Sequence, residues 1–196
     1  MKPLLSALFC VACFAGCLTG GEITPTVRYA LEPPLTVSAG GEPIGKTIGI
    51  RPLEAARPYR EAMVYLDEGN VLGQRVKEAW ADRPDAVVTR AIADALAATG
   101  RFADVGDAAN MARPDYQLTG EVRFFRENRT ASPWVGEVEV RLELREALDV
   151  RQPWSATLRK AVPMADETGA SAADALALAV SHLAADAAQA ITAAVP

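Results

Sequence analysis

The residue with the clearest chemical assignment in this sequence is Cys17, because of what precedes it. Met1-Lys2 is followed by a short apolar stretch that ends in Phe14-Ala15-Gly16-Cys17. A basic start, a short apolar segment and small residues before the cleavage point are features of a secretory signal. The stretch is shorter than the roughly 20 apolar residues that span a bilayer. Small residues directly before a cysteine resemble a bacterial lipobox, where the thiol is acylated and the chain is cut, so we predict lipidation of Cys17.

The cysteine count agrees with this chemistry. The chain has three cysteines, at positions 10, 13 and 17. Cleavage before Cys17 removes the first two and acylation consumes the third, which leaves a mature body without thiols or disulfides, as suits the periplasm. Leu18, rather than Asp, follows Cys17. We therefore expect an anchor at the periplasmic face of the outer membrane, with the inner membrane as the alternative.

The other residues that could do chemistry do not form a catalytic set. His182 is the one histidine, and it falls in an alanine-rich stretch, whereas acid–base and metal sites need convergent partners. Glu137, Glu139 and Glu143 alternate with valines and leucines, which predicts the solvated face of a strand. We predict no catalytic residues, no metal site and no cofactor, and hence a protein that is not an enzyme.

Trp134 is a candidate for partner contact. It follows Ser132-Pro133 between two predicted strands, and aromatic side chains in such exposed connections are enriched where proteins dock. Trp80, just before Pro84, is better explained as a core or helix-entry residue.

The elements that position these residues follow from apolar periodicity. A helix is predicted from near Pro84, with Gly100 just past its end. A second helix follows Gly169, with Ser171 and Asp174 spaced as a capping box and a buried stripe of Leu176, Val180, Leu183, Ala187 and Ile191. Tyr116–Phe125 and Glu137–Leu144 alternate polar and apolar residues, which indicates antiparallel strands, and Trp154–Leu158 continues the sheet. We predict an α+β fold in which two amphipathic helices pack on one face of a mostly antiparallel sheet.

Composition limits the organisation and the partners. Twenty Lys and Arg residues against 25 Asp and Glu give a net charge of −5, with no basic stripe, so nucleic-acid binding is not expected. Half of the residues are hydrophobic, enough for one core. We predict a signal peptide over 1–16, the acylated cysteine and a short tether over 17–26, and a single periplasmic domain over 27–196.

Several short motifs recur together in a known family. They are Tyr29-Ala30-Leu31, Ala62-Met63-Val64-Tyr65, Trp80-Ala81-Asp82-Arg83-Pro84, Thr99-Gly100-Arg101-Phe102 and Tyr116-Gln117-Leu118-Thr119-Gly120. Their order after a lipobox resembles the ABC-type transport auxiliary lipoproteins, the group that contains the paraquat-inducible C-type lipoproteins. The chain departs from the common pattern at Gly73 and Gln74, where the resemblance leads us to expect a bulkier aromatic position.

The resemblance implies a non-catalytic periplasmic adaptor in a system that moves lipids between the inner and outer membranes. Implied partners are a mammalian-cell-entry (MCE) domain protein and an ABC or integral membrane component, together with the membrane itself through Cys17; a homo-oligomer is a further expectation. The alternative is an envelope lipoprotein that regulates a cell-wall synthase or a secretion complex.

Overall fold

A nine-stranded sheet and two long helices make up the body in a computed structural model, which describes residues 26–149 and 153–195. Cys17 and the predicted signal and tether lie outside the described residues, apart from Thr26. The strands are β1 Val27–Tyr29, β2 Thr47–Ile50, β3 Glu54–Ala55, β4 Ala62–Asp67, β5 Val71–Trp80, β6 Asp104–Asp107, β7 Tyr116–Asn128, β8 Val135–Glu146 and β9 Trp154–Pro163. The helices are α1 Pro84–Ala98 and α2 Gly169–Ala194.

Strand β7 organises the sheet. Along one edge it pairs antiparallel with β8, which pairs antiparallel with β9. Along its other edge it pairs in succession with β2, β3 and β4, all parallel. Two further pairs, β1 with β5 and β2 with β6, are also parallel. The prediction of a mostly antiparallel sheet was therefore wrong, because strands that are distant in the chain join β7 side by side and give a mixed sheet.

The two helices form one layer that packs against the sheet. They contact each other, and α2 also lies against β8 and β9. The predicted stripe on α2, Leu176, Val180, Leu183, Ala187 and Ile191, is buried throughout. By length and hydropathy, α2 is the one helix in the described residues that could cross a membrane, but 56% of its apolar window is buried inside the body. It is the central helix of the core.

The ends of the helices follow local rules. Helix α1 has Pro at its first position, and Gly100 follows its end with φ +65°, the left-handed conformation that glycine adopts without strain. Thr168 caps α2 by accepting a hydrogen bond from the Ser171 amide, so the cap lies before Ser171 rather than at it. Strands β4 and β5 form an antiparallel hairpin, and β5 remains a strand through Trp80.

A β-bulge in β7 changes which side chains face the core. The register with β8 shifts between Val122 and Phe124, and an extra residue reverses the alternation beyond it. Phe125 is fully buried, edge-on to Trp80, while Phe124 is half-buried. Strict alternation predicts a buried Phe124 and an outward-facing Phe125. The bulge reverses these two positions.

Candidate interaction site at the hairpin end of the sheet

Two connections lie together at one end of the sheet. The β4–β5 turn contains Glu68–Asn70, and the β7–β8 loop covers residues 129–134. Because β4 and β7 are parallel and end side by side, with Leu66 opposite Asn128, both connections leave the sheet at the same end. The Arg129 amide donates to the Leu66 carbonyl at 2.9 Å and joins them. We call this the hairpin end: the turn 67–70, the loop 129–134 and the part of β5 that leads from the turn, residues 71–78.

Trp134 lies at the hairpin end and is half-buried. The Arg129 guanidinium lies over two aromatic rings, 3.5 Å from the Tyr65 centroid and 4.5 Å from the Trp134 centroid. The Met164 amide donates to the Trp134 carbonyl at 2.8 Å. The cation therefore covers the indole, which stabilises an aromatic side chain at a surface, while the Trp134 backbone is bonded to the segment that leads to α2.

Gly73 makes room for Tyr65. The two residues are opposite each other in the β4–β5 pair, and a Cβ atom on Gly73 would stand 2.3 Å from the Tyr65 ring. The ring therefore crosses the neighbouring strand at its glycine, as aromatic side chains do when they cover a strand glycine. The aromatic side chain that the resemblance led us to expect near Gly73 is supplied here across the strand, by Tyr65.

A buried carboxylate lies beneath these rings. Glu127 is 1% exposed. It accepts hydrogen bonds from Arg75, including one of 2.9 Å to Nη2, and from Arg129 at 3.1 Å and 3.3 Å. Burial alone would lower the pKa of Arg75, but the hydrogen bonds and negative charge of Glu127 raise it above its usual value. A buried carboxylate held by two guanidinium groups fixes the positions of both.

A wide bulge in β5 brings Arg75 to this carboxylate. Residues 75–78 fall between the paired positions Gln74 and Ala79, and Lys77 has φ +61°. Arg75 points to Glu127 and also donates to the Glu167 carbonyl at 2.7 Å, whereas Val76 is 82% exposed. Bulges that redirect side chains in this way are frequent beside functional surfaces.

The N-terminal part of the body meets the same end. Strand β1 begins at Val27, opposite Glu78, and runs parallel to β5, so the chain enters the sheet from the hairpin end. The Tyr29 hydroxyl donates to Glu78 at 3.1 Å, and Glu78 also pairs with Arg75 at 3.2 Å. Partial burial and this hydrogen bond raise the pKa of Tyr29.

Apolar side chains are exposed at this end. Six large hydrophobic residues are exposed in the described part of the chain, and four of them, Val27, Val71, Leu72 and Val76, belong to the hairpin end or enter it. Leu148, 77% exposed, lies in the β8–β9 connection at the opposite end. Exposed apolar residues gathered in one region mark contact surfaces more often than scattered ones do.

The prediction that Glu137, Glu139 and Glu143 form a solvated strand face was wrong for Glu137, which is a second buried carboxylate. Glu137 is 1% exposed, not solvated, because Arg126 at 2.7 Å and Arg159 at 2.6 Å both bond it. Both guanidinium groups also lie over the Phe124 ring. Glu139 and Glu143 are only partly exposed and pair with arginines as well. These ion pairs tie β7, β8 and β9 together on the face away from the helices.

The sequence singled out Trp134 as a candidate contact residue, but not the residues that hold it. The adjacent pair Phe124-Phe125 is the one signal in the sequence for the bulge that places Glu127 inside. Nothing local could link Arg75 with Glu127, which are 52 positions apart. His182 is exposed on α2, and the described residues contain no group of three His, Cys, Asp or Glu side chains that could hold a metal ion.

Comparison with known proteins identifies the family. The sequence model described as "ABC-type transport auxiliary lipoprotein component" matches residues 29–188. The chain belongs to this family. The auxiliary lipoprotein is thereby a component associated with ABC-type transport, and the family description names no catalytic activity. No curated protein matches the chain.

Solved structures share the fold of this auxiliary lipoprotein. Protein XCC0632 from Xanthomonas campestris is 20% identical with a TM-score of 0.76, over 86% of this chain and 96% of that one. The hypothetical protein CT253 from Chlamydia trachomatis is 8% identical with a TM-score of 0.56, over 77% of this chain and 98% of that one. At these identities the likeness concerns the fold alone.

Proposed function

We propose that this auxiliary lipoprotein is a non-catalytic adaptor of an MCE- and ABC-type lipid transport system, anchored through Cys17 and docked through the hairpin end. The proposal rests on three features that lie at one end of the sheet. They are the entry of the chain, the exposed apolar side chains and Trp134 with its ring covered by Arg129. Anchor and docking surface then lie on the same side of the body.

The length of the tether supports this arrangement. Val27 lies ten positions after Cys17, and an extended chain of that length reaches at most about 35 Å. An acyl chain stabilises membrane attachment by roughly 0.8 kcal/mol per buried methylene. The hairpin end is therefore restricted to a layer near the anchored leaflet, which we take to be the periplasmic face of the outer membrane, and a partner must meet it there.

The ion pairs support a contact role for Trp134. Arg129 is held by the buried Glu127, so the ring stacked on it is pre-positioned and loses little conformational freedom when a partner binds. Rigid aromatic side chains beside exposed apolar residues are typical centres of protein interfaces.

The test is co-purification of the lipidated protein from membranes, with mass spectrometry of what accompanies it. We expect an MCE-domain protein with its ABC components. Recovery of a cell-wall synthase or a secretion channel without an MCE component would replace this function with the regulatory alternative.

Two matched variants test whether recovery of the MCE-domain protein depends on the hairpin end. Val76→Asp places a charge on an 82% exposed side chain and should lower recovery of the MCE-domain protein at least tenfold. Leu148→Asp makes the same kind of change at the opposite end, where the side chain is 77% exposed, and should leave recovery unchanged. Equal recovery with both variants would exclude the hairpin end as the docking surface.

A further inference from the structure

An open cleft with both polar and apolar lining lies between the C-terminal ends of the two helices. Residues of the 37–40 loop, the end of α1 and the last turns of α2 enclose about 450 Å³. Its polar lining comes from Ser38, Thr99, Arg101, Gln189 and Thr192. This lining contains one cation and no carboxylate, although the whole chain has a net charge of −5.

Arg101 is unlike the other half-buried arginines. Five arginines in the described ranges are half-buried, and Arg75, Arg126, Arg129 and Arg141 each pair with a glutamate. The side chain of Arg101 forms no ion pair or hydrogen bond with any residue in the part of the chain that the structure describes, and its Nε is buried without a partner. Such an unpaired donor costs free energy that a ligand acceptor would recover.

The cleft holds a second unpaired group. Within residues 26–149 and 153–195, three buried side-chain polar atoms have no hydrogen-bond partner: Trp80 Nε1, Arg101 Nε and Thr192 Oγ1. Two of the three line this cleft. A threonine hydroxyl inside a helix can bond the carbonyl one turn earlier, and that of Thr192 does not.

The local backbone holds Arg101 in place. The Ile44 amide donates to the Arg101 carbonyl at 2.7 Å, and the Gly40 amide donates to the Thr99 carbonyl at 3.1 Å. Gly41 has φ +82°, and a Cβ atom there would stand 3.0 Å from Arg101 Nη1. The glycine thus lets the guanidinium group lie close against the loop.

From this geometry we propose that the cleft binds a phosphate group, with the Arg101 guanidinium and the Thr192 hydroxyl as the principal donors. The Ser38 hydroxyl and the Gln189 amide add neutral donors, which suits a ligand that presents several acceptor oxygens. The group could belong to a phospholipid headgroup or be free phosphate. This site is separate from the hairpin end and goes beyond the adaptor function.

The test follows the Arg101 Nε–H signal by NMR in the lipidated full chain in detergent. The probes are inorganic phosphate and dihexanoyl-phosphatidylglycerol, with dihexanoylglycerol as the probe without phosphate. We expect a saturable shift with a phosphate probe and none with dihexanoylglycerol. Response to both phosphate probes assigns the group itself as ligand, and response to the phospholipid alone assigns a headgroup.

Three variants distinguish binding in the cleft from a general effect of positive charge on phosphate binding. Arg101→Gln should weaken binding of the responding probe at least tenfold, and Thr192→Val should weaken it severalfold. Arg113→Gln removes the same charge from an exposed side chain and should bind like the wild type. Neither Arg101 Nε nor Thr192 Oγ1 has a partner to lose, so both cleft variants should stay folded. An unmoved Nε–H signal, or equal binding by the Arg101 and Arg113 variants, would overturn the proposal.

Discussion

At the scale of single residues, the two buried glutamates are the groups whose charge matters most. Glu127 and Glu137 are each 1% exposed and each held by two arginines. Burying a carboxylate without a counter-charge is very costly, so each glutamate fixes its arginines as firmly as they fix it. Through Arg129 this constraint extends to Tyr65 and Trp134.

Glu127→Gln should destabilise the body by about 3 to 5 kcal/mol, because it removes the buried counter-charge of Arg129 and leaves Arg75 with Glu78 alone. Urea unfolding at neutral pH measures the loss. Glu143→Gln is the matched control, since that carboxylate is 30% exposed while also bonding two arginines, and it should cost less than about 1 kcal/mol. Similar losses for the two variants would contradict the role given to Glu127.

At the scale of elements, periodicity predicted most of the secondary structure. The two helices and the β7–β8–β9 strands follow from local patterns, and each is present. The parallel partners of β7 were missed because strand order depends on contacts between distant segments, which no local pattern encodes. The bulge at Val122/Phe124 was missed because one extra residue reverses a two-residue alternation without changing its composition.

The β4–β5 pair offers a test of cross-strand packing. Gly73→Ala would bring a Cβ atom within 2.3 Å of the Tyr65 ring, and we expect a loss of about 1 to 3 kcal/mol from the resulting displacement. In a Tyr65→Ala background the same change should cost much less, which a double-mutant cycle by urea unfolding would measure.

Gly106→Ala serves as the control for the glycine substitution. Gly106 is also in a strand, but an added Cβ atom there would approach nothing closer than Met111 Sδ at 3.8 Å. We expect a change within about 0.5 kcal/mol. If Gly73→Ala were equally harmless, the Tyr65 ring would not need the glycine.

At the scale of the whole molecule, attachment and folding should be independent. The body takes its core from the sheet and two helices within the described residues, whereas the proposed anchor is Cys17. Cys17→Ser should therefore move the protein from the membrane fraction to the soluble periplasmic fraction without lowering the Tm of the body. Cys13→Ser, which the predicted cleavage removes, should do neither. Retention of the Cys17→Ser protein in membranes would contradict lipidation as the attachment.

The three parallel partners of β7 also affect how fast this chain can fold. Ile48 pairs with Tyr116, Glu54 with Glu121 and Val64 with Arg126, so the joined residues are between 62 and 68 positions apart. Closing such long loops slows folding, whereas the adjacent β7–β8–β9 meander forms through short connections. The meander should form first, and its row of unpaired β7 amides and carbonyls then stays open until β2, β3 and β4 arrive. During export this open edge is the part of the nascent body most exposed to aggregation, and therefore the part that a periplasmic chaperone would most need to cover.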